Sequence, residues 1–218
     1  MSTGHRHLAT IGPGPDVAVL FGAERTVTLD PSAALPTTTF LSMFRLGVEH
    51  VLTGYDHLVF LLGLVLLRAS LRTLVGIVTA FTVGHSISLA LSAFQLVVPD
   101  PAWIEPAIAL SIAYIGIENF IVRDATRRWR LTGLFGLIHG FGFAGILHEL
   151  ELPTAQIPGI VLSFNLGVEA GQLIALVPAL LALKALRERP AFETWGVRGL
   201  STAVALAGIS WFCVRTLG

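Results

Sequence analysis

Thiol chemistry is almost absent from this chain of 218 residues, whose one cysteine, Cys213, lies in an apolar run near the C-terminus. Neither a disulfide framework nor a thiolate metal site can therefore be built within a single chain, and any metal chemistry has to use nitrogen and oxygen. Charge is scarce too: Asp, Glu, Lys and Arg make up 13% of the residues against 54% hydrophobic ones, where a soluble domain carries about 25% charged residues. The formal net charge is 0, which gives no electrostatic case for nucleic acid as a partner. Two catalytic signatures are missing as well. Without a Gly-x-x-x-x-Gly-Lys phosphate loop ATP cannot drive the protein directly, and without a His-Glu-x-x-His helix a zinc protease is disfavoured.

Long apolar runs are what the chain has instead, with a mean hydropathy of +0.77. Residues 1–39 stand apart: Gly4, Gly12, Pro13, Gly14, Pro15, Pro31 and Pro36 punctuate them, and their one strand-like stretch is short, around Asp16 to Leu29. They read as an extramembrane tail without the basic start and long apolar run of a cleavable signal peptide. From Phe40 to the end, apolar segments recur at the length of about 20 residues that a hydrocarbon core of ~30 Å requires. Six fit, over about 40–67, 71–96, 102–122, 131–150, 157–184 and 196–217. They are continuously apolar rather than alternating, and helices satisfy their own backbone in lipid, so an all-α polytopic bundle is expected rather than a barrel.

Charge segregation sets an orientation. Arg68 and Arg72 flank the first connection, Arg123, Arg127, Arg128 and Arg130 the third, and Lys184, Arg187, Arg189 and Arg198 the fifth, whereas the second and fourth carry neither Lys nor Arg. The positive-inside rule then makes the odd connections cytoplasmic and puts both termini outside the inner membrane.

Against this background the polar residues inside spans are conspicuous: Glu49, His50, Asp56 and His57 in the first, His85 in the second, Glu118 and Asn119 in the third, His139 in the fourth, and Asn165, Glu169 and Gln172 in the fifth. An ionisable group within a span costs about 2.5–3.5 kcal/mol even on the milder insertion scales, so such groups face a protein interior or water. At a rise of 1.5 Å per residue, His50 and His85 lie ~15 Å and His139 and Glu169 ~18 Å from the outer ends of their helices. Four helices thus offer ligands at one level. On a continuous first helix, His50 and His57 share one face and Glu49 and Asp56 the neighbouring one.

Neutral imidazoles with carboxylates suit a borderline divalent ion such as Ni²⁺, Co²⁺, Zn²⁺ or Cu²⁺, and the lack of thiolates argues against Cu⁺. The duller account, polar side chains joining helices by hydrogen bonds, yields only about 0.6–2 kcal/mol per contact in membranes. That suffices for a lone histidine but not for four histidines and three carboxylates at converging depths. Glu105 and His148, close to the outer boundary, read as interfacial groups or lining of an entry path, and His5 and His7 as part of the tail. Gly133, Gly136, Gly140 and Gly142 surround His139 and should bring its helix close to its neighbours. Phe135, Phe141 and Phe143 read as packing or lipid-facing groups.

These motifs resemble a known family. His50-x-x-x-Gly54-x-Asp56-His57 is similar to the first-helix signature of HupE/UreJ proteins, which usually has a proline after the first histidine, where this chain has Val51. Phe81-Thr82-Val83-Gly84-His85-Ser86, the segment Phe135 to Ala144 around His139, and Phe164-Asn165-Leu166-Gly167-Val168-Glu169 resemble the second branch of that family in particular. The resemblance covers roughly residues 40–215. It implies a nickel or cobalt permease linked to metalloenzyme maturation partners, with His50, Asp56 and His57 handling the metal; His85, His139 and Glu169 join them by matched depth. It also implies that a longer extracytoplasmic N-terminal domain is common, residues 1–39 being its remnant, and that Val51 removes the cause of a helix kink.

Three functions fit these residues. The first is a secondary permease for a divalent transition metal. Ions would enter past Glu105 or His148, exchange water for His50, Asp56, His57 and His85, and move inward towards Glu118, with Glu49, Asn119 and Asn165 along the way. Membrane potential would drive them, at about 2.3 kcal/mol per charge per 100 mV. The second is an intramembrane zinc hydrolase, with Glu169 or Asp56 acting on bound water. The third is a receptor or assembly factor whose buried network is structural. Ser86, Ser111 and Ser163 read as helix-packing groups, and a homo-oligomer fits six short helices.

Overall fold

The computed structural model describes residues 7–10, 17–20, 40–122, 124–143 and 157–217. Among these, strand β1 (His7–Thr10) pairs antiparallel with β2 (Val17–Leu20), His7 opposite Leu20. Only β2 falls within the stretch for which the sequence predicts a strand.

The rest is helical: α1 (Phe40–Thr53), α2 (Tyr55–Val65), α3 (Leu71–Ala93), α4 (Pro101–Ile121), a 3₁₀ turn (Ala125–Arg127), α5 (Arg128–Phe141), α6 (Ile157–Leu186), and a π-helical turn (Phe192–Gly196) leading into α7 (Val197–Leu217). Their starts have local causes. The Ser70 hydroxyl accepts from the Thr73 amide at 3.1 Å to open α3, and the Asp100 carboxylate accepts from the Ala102 amide at 2.9 Å ahead of Pro101 to open α4. α3 closes with Gln95 at φ 57° and a bond of 2.9 Å from the Leu96 amide to the Leu91 carbonyl, a wrap that caps orphan carbonyls.

The chain is a helical integral membrane protein. Four helical segments, Leu71–Ala93, Pro101–Ile121, Ile157–Leu186 and Phe192–Leu217, are long and apolar enough to cross a bilayer. The first predicted span differs from expectation: it is broken at Gly54 into α1 and α2, bent by 68° relative to each other, and makes a fifth crossing if the pair is counted as one. Val51 in place of proline therefore does not leave the helix straight. α5 has 14 residues, about 21 Å of helix, short of the predicted fourth span. Residues 144–156, which hold the remainder of that span and His148, lie outside the described residues.

Glycine organises the bundle into three intimate pairs. A side chain at Gly47, Gly167 or Gly171 would run into the facing backbone between α1 and α6, and one at Gly84, Gly136 or Gly140 would do so between α3 and α5. Gly116 and Gly208 do the same between α4 and α7. Phe44 faces Gly167 and Val48 faces Gly171, so α1 and α6 run parallel; Phe81 faces Gly136 and His85 faces Gly140, so α3 and α5 do too. Gly116 meets Ala205 while Gly208 meets Ala113, which makes the third pair antiparallel. Seams of small residues let backbones approach where lipid offers helices no hydrophobic reason to associate. Between the pairs lies an apolar core of Phe60, Ile77, Phe81, Ile112, Ile115 and Val204. The outward faces are apolar as well, through Val83, Ile87, Ile117, Leu162 and Leu206.

Candidate metal centre

The break at Gly54 shapes the site. It ends α1 just after His50 and starts α2 just before His57, so the two imidazoles meet across a bend rather than along one helix face. Their ring centroids are 4.6 Å apart. A Cβ at position 54 would stand 2.7 Å from the His50 carbonyl and 3.0 Å from His57 Nδ1, so only glycine leaves room for the second ring.

His85 comes in from α3, with its ring 6.1 Å from His50 and 6.3 Å from His57. One ligand atom from each of the three histidines lies within 4.8 Å of the others, and no carboxylate joins this group among the described residues. An ion at about 2.0–2.1 Å from tetrahedral nitrogens holds them about 3.4 Å apart, so at most about 1.4 Å of contraction separates the triad from coordination. His85 is fully buried and its Nδ1 lies 3.0 Å from Asn165 Oδ1 on α6. Because the Asn165 amide donates its own hydrogen to the Val161 carbonyl at 2.8 Å, its oxygen faces the imidazole and accepts from Nδ1–H. The Nε2 lone pair of His85 is left for a ligand, the usual arrangement in which a second hydrogen bond orients a metal-binding histidine. Nε2 of His85 and Nε2 of His57 are both buried without a hydrogen-bond partner among the described residues, a costly state for a polar atom unless something binds there.

His139 is a fourth, separate imidazole. Its ring is 5.3 Å from that of His57, and its Nε2 lies 2.9 Å from Ser111 Oγ on α4. The single Ser111 proton goes to the Ile108 carbonyl at 2.7 Å, so the serine oxygen accepts from Nε2–H and Nδ1 of His139 keeps the lone pair. Ser111 is thus more than packing, and it fixes the tautomer of His139. Phe143 and Phe164 stack on each other at 4.4 Å and press on His50, and Phe60 and Phe81 wall His57 and His139. Phe143 and Phe135 face this interior, not lipid.

The other predicted residues go elsewhere. Asp56 turns to Arg215 on α7, 2.8 Å away. Glu169 stays outside the histidine group, one turn beyond Asn165, which takes the level at which Glu169 is expected. Glu49 pairs with the exposed Arg45 at 2.8 Å on the outer side of α1. Glu105 is exposed. Glu118 lies 2.7 Å from Arg128, and the guanidinium also donates to Asn119 Oδ1 at 2.6 Å, while the Asn119 amide donates to the Gly63 carbonyl at 3.0 Å. That network is separate from the triad. Sequence reasoning counts Arg128 among connection charges, yet it is 2% exposed. The signal was on its partners: Glu118 and Asn119 inside a span need a cation, and the nearest basic run supplies it.

The family model described as HupE / UreJ protein matches residues 25–215 of this chain. No curated protein and no solved structure matches it. That match takes in His50, His57, His85 and His139 and all but the last two residues of the described helices, and the chain is a member of the HupE/UreJ family.

Proposed function

We propose that the protein is a permease of the inner membrane for a divalent transition metal of the nickel and cobalt kind, with His50, His57 and His85 as its central ligands. The observation that carries this reading is the histidine triad in which Nε2 of both His57 and His85, the two buried members, has no hydrogen-bond partner among the described residues. Neutral nitrogen donors without thiolate or carboxylate favour Ni²⁺, Co²⁺ or Zn²⁺ over Mg²⁺ or Ca²⁺. His139, adjacent to His57 and presenting Nδ1, offers the next station for an ion leaving the triad. With the basic connections inside and both termini outside, α1 and α6 run inward, α3 and α5 outward. A hydrolase built on the same imidazoles needs a carboxylate free to act on the bound water; among the described residues none joins the triad, and Asp56 beside it is held by Arg215, which weighs against that reading.

Elemental analysis of detergent-purified protein tests this, alongside a variant carrying His50→Ala and His57→Ala. One divalent metal should co-purify near stoichiometrically with the wild type and be lost from the variant, and flux into proteoliposomes should follow the same pattern. If Ni²⁺, Co²⁺ and Zn²⁺ at micromolar levels all fail to bind the wild type, the triad is a proton relay or a structural network instead.

A further inference from the structure

Charge balance at the triad is unfinished. Three neutral imidazoles would receive a doubly charged ion in an apolar interior with no anion among them, and an unpaired charge there is expensive. The adjoining carboxylate in the chain is Asp56, which immediately precedes His57 in the first turn of α2. Its two oxygens are in different states: Oδ2 is 2.8 Å from Arg215 Nη2, whereas Oδ1 is buried without a hydrogen-bond partner among the described residues. Arginine commonly grips a carboxylate through two parallel bonds. Here it divides its donors, giving Nη1 to the Glu105 carbonyl at 3.1 Å instead. One face of Asp56 is thus neutralised by a tethered cation and the other is left open.

Resting on the reading of the triad as a metal site, we infer that Arg215 is a positioning residue that stands in for the metal: it holds the Asp56 charge while the triad is empty and yields it to the divalent ion when the ion arrives. Arg215 is suited to leave. Its side chain is 23% exposed in the last turn of α7, and its guanidinium lies 6.0 Å from the Trp211 ring centroid, so the long side chain can turn outward with its head towards solvent. Metal loading is then an exchange of one cation for another at Asp56, and Arg215 sets how tightly the ion is held.

The test is titration calorimetry on full-length protein in detergent, using whichever of Ni²⁺, Co²⁺ or Zn²⁺ binds the wild type most tightly. Arg215→Gln should raise affinity at least tenfold, and the gain should vanish when Asp56→Asn is added. Arg215→Lys, which keeps the charge and should fold even if the glutamine variant does not, loses the split bond to Glu105 and should gain about two- to threefold. If wild type binds and neither Arg215 variant binds more tightly, or if the gain survives Asp56→Asn, the inference is overturned while the triad stands. If no protein, wild type included, binds any of the three ions, both fall together.

Discussion

Two polar clusters sit inside this apolar bundle, and they are built on opposite plans. Around Arg128 opposite charges are paired: Glu118 at 2.7 Å, Asn119 at 2.6 Å and the Leu64 carbonyl at 3.4 Å surround an arginine that is 2% exposed, leaving only its Nε without a hydrogen-bond partner among the described residues. Around His57 and His85 the groups are neutral and the outward nitrogens lack partners among the described residues. The first arrangement joins α5 to α4 and α2 and sets a cation against an anion. The second keeps polarity in reserve, held in place by Asn165 and walled by phenylalanines, which is what a site for a transient guest requires. Buried polarity by itself does not mark a binding site; ligand atoms converging from several oriented groups, with no charge of opposite sign to pair them, do.

Removing one partner from each cluster should break this comparison most sharply. Glu118→Ala strands the Arg128 charge and should destabilise the protein by about 3–5 kcal/mol, seen as a large drop in melting temperature in detergent. His57→Leu, which deletes an unsatisfied group while filling most of its space, should instead leave the apo protein as stable or slightly more so. Equal losses in both clusters would erase the distinction. Asn165→Ala frees Nδ1 of His85 and should weaken metal binding by about 10- to 100-fold, while the buried donor it strands costs the apo protein about 1–3 kcal/mol. Gly54→Ala should act on the same reading through geometry, displacing the His57 ring and lowering affinity while α1 and α2 persist.

The smallest effect belongs at the membrane edge. Arg68 donates to Glu193 at 2.7 Å. Glu193→Gln should lower the melting temperature only slightly, and less still in high salt, the pair being exposed and individually weak.

Much of the helical plan is legible in the sequence because spanning length and charge segregation are local signals. The starts at Leu71, Pro101 and Ile157 agree with it within a residue. The break at Gly54 is not legible, since a glycine in an apolar run is as compatible with a packed helix as with a bend, and the absence of a proline at position 51 points the wrong way. Depth counting assumes straight helices. It therefore puts His50, His85, His139 and Glu169 at one level, whereas in the structure the α6 residue that meets His85 is Asn165. It also cannot see partners contributed from far along the chain: Asp56 meets Arg215 across 159 positions, and nothing near either residue announces the other.

The glycine seams have a mechanical consequence. His50 belongs to the pair α1 and α6, His85 and His139 to the pair α3 and α5, and His57 to the short helix α2 between them. Each pair is interlocked along its length, so it moves as one piece, whereas the ligands of a single ion are shared between pieces. Coordination tolerates only about 0.2 Å of error in bond length. A slide of one interlocked pair past the other by about the width of a hydrogen atom would be enough to let the cargo go, with no helix unwound and no seam opened.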